Sequence, residues 1–180
     1  MLKQTKGFTL IELMVTLAVA AIVLGIAVPS FNTQILNNRS IALGEDFATA
    51  LNFVRSEAVK RGGRVSLCAS SDGATCVGNW VDGFIAFVDG AVSDTAGAPV
   101  VGTVLRVWEQ QNPSAEITVR RGGVDVDFVR YTGLGTLARV ASNNPITVES
   151  QLAHCTNNSA RRTTVGLSGL VAIEGIACTE

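Results

Sequence analysis

One carboxylate stands where carboxylates are costly. Glu12 is the only charged residue between Phe8 and Val28. That run of about 21 residues would form a helix of roughly 31 Å, enough to cross the hydrocarbon core of a bilayer. An acid in the middle of such a core costs roughly 2.5–3.5 kcal/mol, so intramembrane acids usually pair with a cation. About a dozen Leu, Ile, Val and Phe residues in the same run favour insertion by about 4–7 kcal/mol. The segment therefore inserts despite Glu12, and the chemistry open to Glu12 is ion pairing within lipid.

The remaining reactive side chains are few. His154 is the single histidine, so a Ser-His-Asp arrangement would have to use it. Gly166-Leu167-Ser168-Gly169 departs from Gly-x-Ser-x-Gly, and no helical pattern follows it. Asp89 and Asp94 lie in a Gly-containing stretch without the order of a calcium loop, and we read that stretch as solvated. The four cysteines fall into two sequence-local pairs, Cys68 with Cys76 and Cys155 with Cys178. In an oxidising compartment an even set reads as disulfides. Of the possible connectivities we take the local one. A zinc site is the alternative, but neither pair has C-x-x-C spacing and only His154 is at hand. The expectation is a chain with no catalytic activity, no cofactor and no metal.

The elements that position these residues follow from periodicity. Beyond Pro29, Leu43, Phe47, Ala50, Leu51, Val54 and Ala58 recur at spacings of three and four and form one apolar stripe. Gly62-Gly63 ends the pattern, with Lys60 and Arg61 in its last turn. The expected helix runs from Phe8 to Arg61, with Pro29 inside it rather than at its end. The rest reads as strands. Val65, Leu67 and Ala69 alternate with polar residues, and Phe84 to Val88 is an apolar run between turn signals. Val104 to Trp108 is a further strand, and Ile117 to Val119 and Val124 to Phe128 flank a Gly122-Gly123 hairpin. Ile146 to Ala153, Thr163 to Leu167 and Leu170 to Ile173 complete the set, and Gly90 to Gly102 reads as a mobile loop. Trp80 and Phe84 are expected in the core where sheet meets helix.

Composition sets limits on function. The chain has 180 residues and a formal charge of −1, which does not announce a nucleic-acid binder. Lys3 and Lys6 precede the apolar run and no basic cluster directly follows it. The positive-inside rule then places the N-terminus in the cytoplasm and everything after Pro29 outside. A cleaved secretory signal, cut near Ala18-Val19-Ala20 or Gly25-Ile26-Ala27, is disfavoured by the acid near the start of the apolar core. So is a plain signal anchor.

Gly7-Phe8-Thr9-Leu10-Ile11-Glu12-Leu13, with its short basic leader and with Pro29 downstream, resembles the class III signal of type IV pilins and type II secretion pseudopilins. The resemblance implies cleavage between Gly7 and Phe8 by a prepilin peptidase, and N-methylation of Phe8. It also implies that Glu12 pairs with the Phe8 amine of a neighbouring subunit during assembly, with Pro29 belonging to the same assembly helix. Phe53 to Val59, Arg64 to Cys68 and Trp80 to Phe87 are similar to the GspH/FimT/FimU group of minor pilins and pseudopilins. The fold implied is α+β, the type IV pilin fold, with a long N-terminal helix packed on an antiparallel sheet. Its divisions are a leader at 1–7, a transmembrane and assembly helix at 8–30 and a periplasmic head at 31–180. The head comprises an amphipathic helix at 31–61 and a β-rich part at 64–180.

The role implied is that of a minor pilin in the tip complex that primes a type IV pilus and links other minor pilins to the major pilin. Its location would be the inner membrane and then the pilus. The alternatives are a type II secretion pseudopilin, with other pseudopilins as partners, and a pilin that takes up DNA. Some relatives bind DNA through a Gly-Arg-x-Arg motif, but the matching stretch here, Gly169-Leu170-Val171-Ala172, has apolar residues in place of both arginines. Arg161 and Arg162, together with Arg120, Arg121, Arg130 and Arg139, remain as candidates for a basic face, and we read them as ordinary solvated arginines.

Overall fold

The apolar stripe of the helix and the strands behind it meet in one core. The computed structural model describes residues 7–179, so the leader's Lys3 and Lys6 lie outside the described residues. Helix α1 spans Leu10–Arg61. The chain divides into two compact units, one ending at Ile35 and the other running from Leu36 to the end. In the first unit, every residue from Gly7 to Gly25 is exposed. The helix assignment runs through position 29, while the side chains of Ile26, Val28 and Pro29 lie outside the described residues.

In the second unit, the expected stripe is the buried face of α1: Leu43, Phe47, Ala50, Leu51, Val54 and Ala58 are all in the core. Full burial of side chains such as Phe47 and Leu51 contributes roughly 1.5–3 kcal/mol each. Two glycines close the helix. Gly63 N–H donates to the Ala58 carbonyl and Gly62 N–H to the Val59 carbonyl, both at 3.2 Å. Gly62 has a φ of 59°, the left-handed conformation that this helix ending requires.

The strands form two antiparallel sheets rather than one. The first has the order β3-β2-β1-β6, from β1 (Val65–Ala69), β2 (Phe84–Asp89), β3 (Val101–Trp108) and β6 (Phe128–Tyr131). The second has the order β5-β4-β7-β8-β9, from β4 (Ala115–Arg121), β5 (Val124–Asp125), β7 (Ile146–Leu152), β8 (Ala160–Val165) and β9 (Val171–Ile176). The Gly122-Gly123 hairpin joins β4 to β5, with both glycines at positive φ. The run expected as one strand over Val124–Phe128 is cut in two. The chain leaves the second sheet after Asp125 and enters the first at Phe128. The switch was hidden because the residue types alternate without a break from Val124 to Phe128, although neither short strand alternates in burial.

Both sheets contribute to the core against α1. Phe47 lies 5.4 Å from the Trp80 ring and 5.1 Å from Phe84, which places both aromatics where they were expected. Gly44 marks the close approach of the helix to the second sheet. A Cβ there would run into the Arg161 side chain and the Ser150 hydroxyl. β1 is buried at every position, against the expected alternation of buried and solvated residues. Its second face is covered by a smaller cluster in which Cys68, Ile85 and Phe87 pack with Cys76, Val101, Val104 and Phe128. Cys68 is bonded to Cys76 and Cys155 to Cys178, with Cα separations of 5.5 and 5.8 Å.

Candidate functional site

The candidate assembly site begins at the start of α1. Thr9 and Glu12 close a reciprocal capping box. Thr9 N–H and Thr9 Oγ1 both donate to Glu12 Oε2 at 2.8 Å, and Glu12 N–H donates to Thr9 Oγ1 at 3.3 Å. The box satisfies helix-terminal donors that lipid cannot satisfy. It also fixes the carboxylate on one face of the first turn. Oε1 carries no hydrogen bond among the described residues, so the group retains an acceptor for a cation. Gly7 has open space around its Cα and Phe8 is 88% exposed, so the Gly7–Phe8 peptide is unobstructed. Around this site the side chains of Leu10, Ile11, Leu13, Met14, Val15, Leu17, Val19, Ile22, Val23 and Leu24 are all exposed. A helix apolar on every side has only lipid or other helices as a suitable environment.

The second site concerns charge in the head. Asp89, expected in a solvated loop, is buried. Its Oδ2 accepts from Arg130 Nε and from Ser66 Oγ, both at 2.7 Å. Its Oδ1 accepts from the amides of Ala91 and Val100 at 2.9 and 3.0 Å. Neither side chain of the Asp89–Arg130 pair reaches solvent. Burial works against the Asp89 charge, but the Ser66 hydroxyl, the Val100 amide, Arg130 and the Ala91 amide together hold its pKa below the usual carboxylate range. Arg130 then reaches across the following loop. Its Nη1 donates to the carbonyls of Asp94 and Ala96 at 3.1 and 2.7 Å, and its Nη2 to that of Ala98 at 2.9 Å. The stretch Gly90 to Gly102, expected to be mobile, is therefore pinned from below by one guanidinium. Asp94 is paired with Arg64 at 3.1 Å. Among the described residues no group of acidic, His or Cys side chains has the geometry of a metal site.

The arginines do not form one free basic face. Arg162 donates to Glu149 at 2.8–2.9 Å and to Glu174 at 3.2 Å, and these two carboxylates raise its pKa. Arg161 bonds the carbonyls of Asn158 and Ala160 and lies 3.6 Å from Glu45. Arg120 pairs with Asp125 at 2.9 Å. Arg121 and Arg130, read as solvated, are buried at 7% and 1% exposure. Arg139 is exposed. His154 lies in the turn after β7, at a φ of 64°. Gly166 to Gly169 form the β8–β9 turn rather than a strand-to-helix elbow.

The sequence matches the family described as Type II transport protein GspH over residues 43–170. It matches the prokaryotic N-terminal methylation motif over residues 2–28. No curated protein matches the chain in sequence. Among solved structures, the type IV minor pilin FimU of Pseudomonas aeruginosa PAO1 is similar with a TM-score of 0.55 and 18% identity, over 76% of this chain and 89% of that one. A second crystal form of FimU gives a TM-score of 0.52 at 20% identity, over 74% and 90% of the two chains. The minor pseudopilin EpsH from the Type 2 Secretion System of Vibrio cholerae gives a TM-score of 0.52 at 9% identity, over 79% of this chain and 99% of that one. At these identities the likeness is one of fold.

Proposed function

We propose, from the premise that this chain belongs to the GspH family of type II transport proteins, that it is a minor subunit of a type IV pilus. In this reading prepilin peptidase cuts between Gly7 and Phe8, and the new amine is methylated. The helix anchors the subunit in the inner membrane with its head in the periplasm. On assembly the exposed apolar helix exchanges lipid for the helices of neighbouring subunits. Glu12 accepts the Phe8 amine of the next subunit and so sets the axial register. The observation that carries the reading is the N-terminal methylation motif in register with a single, pre-oriented carboxylate on an otherwise apolar exposed helix. An ammonium and a carboxylate in lipid are each costly alone and much less so together. The role is structural rather than catalytic, at the tip where minor pilins meet the major pilin.

A second reading, a minor pseudopilin of a type II secretion system, is favoured by the description of the matching family and by the likeness to EpsH. Deleting the gene separates the two. Loss of surface pili with secretion intact supports the pilus, and the reverse supports the secretion system. The carboxylate partners of Arg120, Arg161 and Arg162 weigh against a third reading as a DNA receptor, since these cations are already neutralised.

Replacing Gly7 tests the processing step. Gly7→Ser adds a side chain at the scissile junction and is expected to leave the leader attached, which intact-mass spectrometry reads as retained residues 1–7. A mature N-terminus at Phe8 in that variant would refute the junction.

A further inference from the structure

Arg121 is the buried cation that the ion pairs of the head leave out. It sits at the end of β4, 7% exposed. Its Nη1 donates to the Val140 carbonyl at 2.9 Å. Its Nε is buried with no partner, and among the described residues no carboxylate pairs with it. The contrast with Arg130 is chemical: one guanidinium has a buried aspartate and three carbonyls, whereas the other has one carbonyl for five N–H donors. Burial depresses the Arg121 pKa. A buried, unpaired charge is among the costliest groups a fold can hold.

Arg121 also lines a cavity of about 360 Å³, within the ~300–1,000 Å³ range of ligand pockets. The walls are otherwise mainly apolar, with Val124, Val126, Phe128 and Val140 among them. Ala141, beside the Val140 carbonyl, has a φ of 55°, a conformation that non-glycine residues rarely adopt. Two carboxylates also line the cavity, Asp125 and Asp127, and both are exposed. Asp125 is held by Arg120. Arg130 lines the cavity as well, but its charge is already met by buried Asp89, so Arg121 is the lining cation left without a counter-ion. Exposed carboxylates beside one unpaired buried cation select against a polyanion and for a singly charged group with an apolar stem.

We propose that this cavity receives one acidic side chain from a neighbouring filament subunit, with Arg121 as its counter-ion. Planar guanidinium and carboxylate groups match in a bidentate pair, and the methylene stem of a glutamate matches the valine-lined wall. The choice of a neighbouring subunit as donor rests on the reading of the chain as a filament component. The chemistry of the cavity does not. The pair would hold heads together through a contact separate from Glu12, so the two can fail independently.

The test is a binding titration on the full-length chain in detergent, with capped Ala-Glu-Ala as probe and capped Ala-Gln-Ala and acetate as comparators. The Glu peptide is expected to bind at least tenfold tighter than the Gln peptide and tighter than acetate. Arg121→Gln is expected to abolish that preference. Ser142→Trp, which narrows the cavity and leaves Arg121 in place, should do the same and decides the matter if Arg121→Gln does not fold. Equal binding of the two peptides, no binding of either, acetate binding as tightly as the Glu peptide, or a preference that survives Ser142→Trp would overturn the proposal. Because no filament is needed, failure here leaves the assembly role of Glu12 untouched, and failure of Glu12 leaves this result intact.

Discussion

Replacing Glu12 with alanine is expected to leave the subunit in the membrane, with its leader removed, while depleting it from assembled filaments by roughly a hundredfold or more. The magnitude follows from the chemistry of a desolvated pair. Removing one partner leaves the other charge uncompensated, at a cost of about 3–5 kcal/mol, and each ~1.4 kcal/mol is a factor of ten in occupancy. The direction for membrane retention is opposite. Deleting an acid from the apolar run makes insertion more favourable by roughly 2.5–3.5 kcal/mol. The helix start keeps one capping bond, since Thr9 Oγ1 still accepts from the amide of residue 12, while Thr9 N–H and Thr9 Oγ1–H lose the carboxylate as acceptor. Immunoblots of membrane and sheared-filament fractions separate these effects. Normal incorporation of Glu12→Ala would sink the docking role of this residue.

Replacing Arg130 with methionine should cost the head about 3–5 kcal/mol of stability, because Asp89 would remain buried with its cation removed. Trp80 and Trp108 both lie in the head, so urea unfolding of the full-length chain in detergent can be followed by their fluorescence. The same variant releases the carbonyls of Asp94, Ala96 and Ala98, and amide exchange across Gly90 to Val100 should accelerate. Asp89 adds a pH dependence whose sign is fixed. Its folded pKa lies below its unfolded value, so its contribution to stability is fully present above the ordinary aspartate pKa of about 3.9 and is lost as pH falls through the folded value. Asp89→Asn should remove that acid-side loss. A denaturation midpoint for Arg130→Met equal to that of the wild type would contradict the pinning role.

Sequence and structure agree where the signal is periodic or local. The stripe from Leu43 to Ala58 reports its own burial, since spacings of three and four put those residues on one helical face. Gly62-Gly63 marks the helix end because only a glycine adopts that left-handed turn cheaply. The methylation motif and Glu12 are equally legible, because an acid inside an apolar run is anomalous by itself. The Asp89–Arg130 pair was not legible. Its members are 41 positions apart, and both residue types are usually exposed. The loop they pin is small and polar, which in composition matches a mobile one. The switch between sheets at Val126-Asp127 left no trace either, since it interrupts pairing without interrupting alternation. Arg121 was read as one of six surface arginines, although the period-2 pattern of β4 sets it on the face of the buried Ala115, Ile117 and Val119, and sets Arg120, which is exposed and paired, on the other.

An assembly role requires that this chain be processed to Phe8 and built into a filament. The direct measurement is N-terminal mass spectrometry of the chain recovered from purified, sheared filaments. The predicted result is a subunit in the filament fraction that begins at N-methylated Phe8. A filament fraction that contains the major subunit but lacks this chain, or a chain in it that still begins at Met1, would contradict the account.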